Sequence, residues 1–555
     1  MRKEKVQKMK KPKTKAQKIL INLVVTLLFG VVYFYLALPA LNFQAEEFYI
    51  FLFLMSAVYI LSALVTSGMD LQGRGGFKEY FHFIKSQCLP VGILVVVLLV
   101  VMVVGQLVSS PIFRASAYRD LLTPDTGDFA ADITQISFDK IPTLDRDSAE
   151  YLSDRQMGTL SDMVSQFEYS DDSTQINYQG RPVRVAPIAY ADLIKWFTNR
   201  GSGLPAYVIV DMVTQEATVA RLTDGIKYSF SEPLNRNIMR HLRFHFPTFL
   251  FAEPEFEINE EGHPYWIAPR IAKTIGLFGG TDIIGAVLVD AVTGECVYYD
   301  AADAPTWVDN LFDPELVMLQ YDYHGTLVNG FINSIFGQRD VTQTTQGYNY
   351  IAMNDDVYMY TGVTSANADQ SNLGFLLCNL RTKETKYYSA PGATEYAAMA
   401  SAMGVVQDLG YIATFPILLN IGGEPTYFIP MKDAANLVKT YAMVNVSRYD
   451  IVAIGATVSE CERAYARLLS SKGISTTPGV SGITATGTVA ELRSAVLEGN
   501  TYYFIRLEGE QVFYSVSAAQ NPLAVILNIG DRVSIEHTPA ESGQEILTGY
   551  SMSKK

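Results

Sequence analysis

Two histidines in the stretch MRHLRFHF have the spacing of a metal-binding pair. His241 and His245 are four residues apart, so on a helix both lie on one face, where two imidazoles can share an ion. Glu253 and Glu255 follow as carboxylates. The flanking arginines and aromatic residues are more typical of a packed amphipathic segment. The sequence therefore predicts no metal site and no other cofactor.

The stretch YDYHGTLVNGFINSIFGQRD, residues 321–340, is the richest in polar residues that the chain does not repeat elsewhere. Its His324 and Arg339 are the candidate catalytic residues. The alternative interpretation is a connector helix with capped ends. The sequence contains no Gly-rich phosphate loop, Gly-x-Ser-x-Gly elbow, His-Glu-x-x-His or Cys-x-x-Cys motif, which favours a non-enzymatic protein over an enzyme.

A hairpin-like motif occurs at least twice, as QINYQGRPVRVAP (175–187) and EINEEGHPYWIAP (257–269), 82 residues apart. GEPTYFIP (423–430) is a third copy, and NDDVYMYTG (354–362) fills the place midway between the second and the third. The pattern is a short strand, a glycine able to take positive φ, and a strand closed by proline. The residues with this structural role are Gly180, Pro182, Gly262, Pro264, Gly423 and Pro425.

The first two copies differ at two positions that would present different chemistry. Arg181 and Arg184 of the first copy correspond to His263 and Trp266 of the second. These four residues are the candidate binding residues. For the tryptophan, the alternative is an anchor in the core or in a hairpin.

A second motif accompanies the first in VIVDMVTQEATVA (208–220), VLVDAVTGECVYY (287–299) and LLCNLRTKETKYY (376–388). Each copy has an apolar strand, an Asp or Asn, then x-x-Thr-x-Glu and a return strand. Asp211, Asp290 and Asn379 are predicted to open tight turns, because a short polar side chain can accept backbone N–H groups there. Because a single catalytic centre needs its residues only once, both motifs are interpreted as folding devices.

These patterns predict a chain of α+β repeat modules that ends in a small β-barrel of the OB or SH3-like type. The predicted modules are residues 111–230, 231–310, 311–395 and, in degenerate form, 396–450, followed by a helix and linker at 451–483 and the barrel at 484–555. Acidic residues outnumber Arg493, Arg506 and Arg532 in the barrel, so nucleic-acid binding is not expected.

Three apolar runs within residues 19–110, each about 20 residues long, predict three transmembrane helices. They follow a basic tail, residues 1–18, that carries nine Lys or Arg residues and one Glu, although the whole chain has a net charge of −14. The positive-inside rule then places the tail in the cytoplasm and the bulk of the chain outside the membrane. The lipid bilayer is thus the first expected partner.

Four cysteines in 555 residues do not form a disulfide framework. Cys88 is expected at the cytoplasmic membrane face, and Cys296, Cys378 and Cys461 outside. At most one bridge can form among these three, and buried thiols are the alternative.

Several stretches resemble a group of multi-pass membrane proteins from Gram-positive, clostridial-type bacteria: ISFDKIPTLDRDSAEYLSDR, IGLFGGTDIIGAVLVDAVTGE and ILLNIGGEPTYFIPMKDAANLVK. The resemblance covers about residues 111–470 and implies a location in the cell envelope. The hairpin modules also resemble PepSY-type domains, which are secreted modules associated with peptidase inhibition. No catalytic residue follows from either resemblance.

The expected function is that of a membrane-anchored, extracytoplasmic binding or scaffold protein of the cell envelope. Its tandem hairpin modules would present equivalent surfaces to a protein or to a cell-wall polymer. The alternative is an extracytoplasmic enzyme or a peptidase-regulating, PepSY-like protein with a site near residues 321–340.

Overall fold

A computed structural model of the chain describes residues 14–67, 82, 84–133, 140–159, 162–353, 355–365, 371–472, 474, 483–497, 500–518, 521–537 and 546–554. The chain divides into two compact bodies, Met1–Asn420 with Glu424–Lys472, and Ile421–Gly423 with Gly473–Lys555. Most of the predicted basic tail and of the predicted linker after residue 472 lies outside the described residues.

Among the described residues, three helices are long and apolar enough to cross a membrane: α1 (Lys15–Ala37), α2 (Glu46–Ser67) and α3 (Leu89–Ser109). This confirms the prediction of a membrane protein. Helix α1 ends before residue 40 because Leu38 takes a left-handed conformation, with φ of 52°, and a proline follows. Between α1 and α2, the hydroxyls of Ser62 and Thr66 donate to Oδ1 of the buried Asn22.

The carboxyl-terminal ends of α1 and α3 and the loop before α2 all contact the sheet region. After α1, the N–H of Leu41 donates to the carbonyl of Pro247 at 2.7 Å. At the end of α3, the hydroxyl of Ser109 accepts the N–H groups of Leu277 and Phe278. These contacts place the sheet region on the side of the helices opposite the start of α1. Helices α4 (Pro111–Arg119) and α5 (Phe129–Asp132), with strand β1 (Asp125–Gly127) between them, connect α3 to this region.

The sheet region consists of four sheet units in which a helix precedes five strands that pair in the same order. In each unit the first, second and fourth strands pair with the third, and the fifth pairs with the fourth. The first unit has α6 (Arg146–Gly158), β2 (Phe167–Tyr169), β3 (Thr174–Tyr178), β4 (Arg181–Tyr190), α7 (Leu193–Asn199), β5 (Leu204–Asp211) and β6 (Ala217–Ile226); the second has α8 (Ile238–His245), β7 (Leu250–Phe251), β8 (Glu255–Ile258), β9 (Pro264–Ile275), β10 (Gly279–Asp290) and β11 (Cys296–Asp300).

The third and fourth units follow the same plan. The third has α9 (Pro314–Thr326), β12 (Thr342–Thr344), β13 (Asn349–Met353), β14 (Asp356–Ser365), β15 (Ser371–Asn379) and β16 (Thr385–Ala393), and β1 adds a parallel strand beside β16. The fourth has α10 (Glu395–Val405), β17 (Ile412–Ala413), β18 (Ile417–Ile421), β19 (Glu424–Lys432), β20 (Val438–Asn445) and β21 (Val452–Gly455), and α11 (Val458–Ser471) follows it. The predicted hairpin motifs are the second and third strands of each unit.

One hydrogen-bonding arrangement joins the two repeated motifs in every unit. At the end of the fourth strand, an Asp or Asn side chain accepts backbone N–H groups two or three residues further on. These residues are the three predicted ones and a fourth, Asn445. The next residue, buried in each unit, donates its N–H to a carbonyl near the start of the third strand and accepts an N–H from the segment before the unit's helix. We call these four clasp residues: Met212, Ala291, Leu380 and Val446.

Neighbouring units share cores or polar contacts. One apolar core joins the first and second units, and another joins the second and third. The side chain of Asn349 in the third unit donates to the carbonyl of Phe415 in the fourth at 3.0 Å. The fourth unit returns to the first, where Nζ of Lys432 lies 2.6 Å from Oδ2 of Asp145. Each sheet unit therefore contacts at least two others.

The second body contains five strands, each paired with two others in a closed ring: β22 (Ile483–Leu497), β23 (Asn500–Leu507), β24 (Phe513–Ser517), β25 (Arg532–His537) and β26 (Ile546–Lys554). Between the third and fourth strands along the chain, Pro522–Ile526 forms a 3₁₀ helix, because a proline at its first turn favours helical φ and Ala524 packs inward. The fifth strand lies beyond it, at the end of the chain.

Replacing Asp290 by Ala should destabilise the sheet region by about 1–2 kcal/mol, because its Oδ1 accepts the N–H groups of Val292 and Thr293 at 2.8 and 2.9 Å. Asp290→Asn should cost less, since Asn occupies this position in the third and fourth units. Thermal unfolding of the detergent-solubilised chain measures both. The exposed Asp303→Ala is the control, and an equal effect of Asp303→Ala and Asp290→Ala would contradict the role of the turn.

Candidate functional site

All four sheet units line one cleft with a volume of about 450 Å³. The first unit contributes Arg184 and the segment 171–175, the second contributes 252–256, the third contributes Tyr348 and Tyr350, and the fourth contributes Phe415. Clefts at junctions between structural units are common ligand sites. Because its lining comes from distant parts of the chain, the cleft exists only when the units are assembled.

Arg184 is the buried charge of the cleft. It is 6% exposed, and its Nη1 donates to the carbonyl and hydroxyl of Ser173 at 3.0 and 3.1 Å. Its Nε has no hydrogen-bond partner, and no carboxylate among the described residues forms an ion pair with it. Burial lowers the pKa of this guanidinium. An unpaired buried cation is costly, so an anion that reaches it is strongly favoured.

The sheet units place Arg184 where the other three bury an apolar or aromatic side chain. Arg184 lies two residues after the residue whose carbonyl binds the clasp residue. The corresponding residues of the second, third and fourth units are Trp266, Met359 and Tyr427, each fully buried. In strand β4, alternation sends Val183 and Val185 into the core shared with the second unit and Arg184 to the other face. Three of the four units thus fold with an uncharged residue at this position, so the fold of a unit does not require a charge there.

Acidic side chains surround the guanidinium at greater distance. Glu255 is largely buried and accepts the hydroxyl of Thr174 at 2.7 Å, and burial raises the pKa of its carboxyl. Burial also raises the pKa of Asp172, which accepts the hydroxyl of Ser170 at 2.6 Å. At the rim, Asp171, Glu253 and Asp313 are exposed. The cleft therefore combines an inner positive charge with a negative rim.

Next to the cleft, the first three units meet at a pair of buried carboxyl groups, Glu257 and Asp309. Glu257 accepts the backbone N–H groups of Asp309 and Asn310 at 3.0 and 2.8 Å. Asp309 accepts the N–H of Asn177 at 2.6 Å through Oδ2, and its Oδ1 has no partner. Burial raises the pKa of Glu257 to about 7 and that of Asp309 well above its usual range. Buried and bonded to backbone, this pair joins the units.

The other predicted binding residues lie outside the cleft lining. Nη2 of Arg181 lies 2.8 Å from Asp211, and Nε2 of His263 lies 3.1 Å from Asp290, so each links the hairpin turn of its unit to the following polar turn. The fully buried Trp266 is a core residue that donates through Nε1 to the carbonyl of Tyr228.

The predicted catalytic candidates are not brought together. Nδ1 of His324 bonds to the carbonyl of Arg119 in α4 at 3.1 Å. Arg339 has a side chain that is 84% exposed and lies 3.5 Å from Asp340. The predicted connector over 321–340 forms the end of α9 and a π-helix, Asn333–Gly337. Neither residue lines the cleft.

The hairpin glycines lie where positive φ is required. Gly180, Gly262 and Gly423 have φ of 74°, 79° and 90°, and Asp355 takes this role in the third unit with φ of 71°. The carbonyls of Pro182, Pro264, Val357 and Pro425 accept the N–H groups of the clasp residues. The four cysteines are free thiols, so none of the outer three forms a bridge.

Sequence reasoning missed the cleft carboxyls and the pair Glu257–Asp309. One signal was available, because Glu257 replaces Gln175 when the first two hairpin copies are aligned. A comparison with protein-family models and with curated proteins finds no match for the chain. The geometry of the cleft is therefore the basis for a functional proposal.

Glu257→Gln should remove part of the pH dependence of stability. Between pH 4.5 and about 7 the unfolded carboxyl loses its proton while the folded one keeps it, so wild-type stability falls as pH rises through this window. The variant should gain up to about 3 kcal/mol relative to the wild type between these two pH values. Chemical denaturation at pH 4.5 and 7.5 measures this; Glu253→Gln, at an exposed position, is the control. A constant difference between Glu257→Gln and wild type would contradict the raised pKa.

Proposed function

We propose that the chain is a membrane-anchored, extracytoplasmic binding protein of the cell envelope whose cleft takes a carboxylate of a peptide-like partner. The partner would be a protein segment or the peptide part of a cell-wall polymer. The single observation that carries the proposal is Arg184, a buried cation without a counter-ion at a position where the other units bury uncharged side chains.

The charge pattern selects the ligand class. A simple anion would be repelled by Asp171, Glu253 and Asp313 at the rim. A peptide with a free carboxylate and neighbouring amines complements both the inner guanidinium and the acidic rim. Its carboxylate pairs with the guanidinium, and its amines face the rim. Tyr348, Tyr350 and Phe415 provide apolar surface for the chain between these charges.

The location follows from the helices and the tail. The three membrane-capable helices support this location, because an odd number of crossings separates the amino terminus from the sheet region, which contacts the end of α3. The strongly basic tail favours the cytoplasmic side, which supports the proposal of an extracytoplasmic cleft. This orientation gives the cleft access to envelope proteins and to the cell wall.

The four units are proposed to be copies of one module, with a PepSY-like relationship as the expected family. Their common strand pairing and the clasp residues support this. We include in this proposal an OB or SH3-like identity for the terminal five-stranded ring. It is supported by the closed pairing of five short strands. The predicted module boundaries are part of the proposal as well.

Arg184→Met should abolish carboxylate binding without unfolding the protein. The third unit carries Met at the same position, and replacing an unpaired buried charge by an apolar side chain is neutral or stabilising. With alanyl-lysyl-alanine as the probe, calorimetry on the full detergent-solubilised chain should show binding by the wild type and at least a tenfold loss in the variant.

The control is Arg181→Ala, which should bind as the wild type does, because Arg181 lies three residues before Arg184 on the same strand but is paired with Asp211. The carboxy-amidated probe should bind at least tenfold more weakly to the wild type. Equal binding of acid and amide, equal binding by Arg184→Met, or no binding of either probe would each refute the proposed ligand class.

A further inference from the structure

The structure brings a cysteine to the two histidines of helix α8. One ligand atom each from His241, His245 and Cys296 lies within 4.8 Å of the others. Cys296 opens strand β11, 51 residues after His245, and reaches the helix because β11 pairs with β10 beside it. Two imidazoles and a thiol are ligands that zinc and other late first-row metal ions prefer.

Hydrogen bonds to two backbone carbonyls already orient the three side chains. The carbonyl of Gly294 accepts Nε2–H of His241 at 2.8 Å and Sγ–H of Cys296 at 3.5 Å. Nδ1 of His245 donates to the carbonyl of His241 at 2.8 Å, which leaves its Nε2 with a free lone pair. Bonds from ligand histidines to backbone carbonyls are the usual support of protein metal sites.

The surroundings suit an accessible site. The Tyr228 ring lies 4.4 Å from the ring of His241, and His241 and Cys296 are half-buried whereas His245 is exposed. Gly294 must be glycine, because its φ is 79° and an added Cβ would lie 2.3 Å from the tyrosine ring. The cluster is therefore built on a turn whose shape is fixed.

We propose that His241, His245 and Cys296 bind a zinc ion with the fourth position left to water or to a group from another molecule. In a tetrahedral site, Zn–N of about 2.0 Å and Zn–S of about 2.3 Å bring ligand atoms to about 3.5 Å from one another. Side-chain rotation closes the remaining gap, and the thiol proton is released as zinc binds. This site is separate from the cleft and does not depend on the proposed peptide ligand.

Competition with a chromogenic chelator tests zinc binding by the full-length, detergent-solubilised chain under thiol-free reducing conditions. The wild type should bind one equivalent. His245→Ala and Cys296→Ser should each weaken binding at least about tenfold, whereas Cys88→Ser and His324→Ala should not. Cobalt(II) should give a sulfur-to-metal charge-transfer band that Cys296→Ser lacks.

Thermal unfolding of each variant without metal separates ligand loss from misfolding, since His245 is exposed and serine is nearly isosteric with cysteine. Failure of the wild type to bind one equivalent would overturn the site. Unchanged affinity in the double variant His245→Ala, Cys296→Ser would overturn it as well.

A different observation concerns apolar side chains beside the membrane helices. In α7, Leu193, Ile194 and Phe197 are 62–72% exposed. Nη1 of Arg236 donates to the carbonyl of Arg200 just after this helix, and the neighbouring segment bonds to the end of α1, where the hydroxyl of Tyr35 donates to Asn235. The exposed face thus lies next to the point where α1 leaves the bilayer.

A second apolar segment lies next to the end of α3. Ile332, Ile335 and Phe336 of the π-helix region are exposed, Phe336 by 81%. Their neighbour Phe331 packs in a small core with Tyr118 of α4, the helix that begins directly after α3. Large exposed apolar residues next to membrane helices are typical of interfacial segments.

We infer that these two segments insert their apolar side chains into the outer bilayer interface on either flank of the three helices. Continuity with the ends of α1 and α3 selects lipid as the occupant. This also gives the non-repeated stretch 321–340 a role that requires no catalysis. Lys195 lies within the first segment and Arg200 follows it, and both suit anionic headgroups.

Spin labels on cysteines introduced at Ile194 or Phe336 test this in liposomes of phosphatidylcholine and phosphatidylglycerol. Both labels should be more accessible to oxygen than to a water-soluble nickel complex, and a label at the exposed Tyr449 should show the reverse. The wild-type chain, treated with the same spin label, gives the background signal from its native cysteines. Nickel accessibility equal to that at Tyr449 would overturn the inference, and so would protection from both reagents, which indicates a protein cover.

Discussion

The clasp residues hold each sheet unit together, and the rest of the sheet region depends on them. The N–H of a single buried residue donates to the hairpin and its carbonyl accepts from the segment before the helix, so three stretches of chain meet at one residue. Since buried backbone groups must be paired, these bonds fix where the helix can begin relative to the sheet. The polar turn residue beside each clasp residue secures the bend.

This constraint explains why two motifs occur together along the chain. They lie between 21 and 30 residues apart in sequence but bond to one another in space, so neither can change freely without the other. The side chain that remains variable is the one two residues after the carbonyl that binds the clasp residue, on the third strand of each unit. The first unit uses that freedom to bury a guanidinium where its counterparts pack Trp266, Met359 or Tyr427.

Local signals made the membrane helices and hairpins predictable from the sequence, because length, apolar runs and positive-φ turns act over a few residues. The fourth polar turn, at Asn445, was missed since VNVSRYD lacks the Thr-x-Glu pattern. The cleft and the His241–Cys296 contact could not be predicted, as they depend on packing between segments more than 50 residues apart. The pattern 321–340 indicated polarity but not the packing of Phe331 near Tyr118 of α4.

The hydroxyl of Ser109, which accepts two N–H groups from the turn at Leu277 and Phe278, couples the third membrane helix to the second sheet unit. Helix α4 extends this coupling to the third unit through Tyr118 and Tyr323, whose rings are 4.7 Å apart. A force that pulls on the sheet region would therefore pass through these two units into the membrane helices. Together with the bond from Leu41 to Pro247 after α1, these contacts resist separation of the sheet region from the membrane helices.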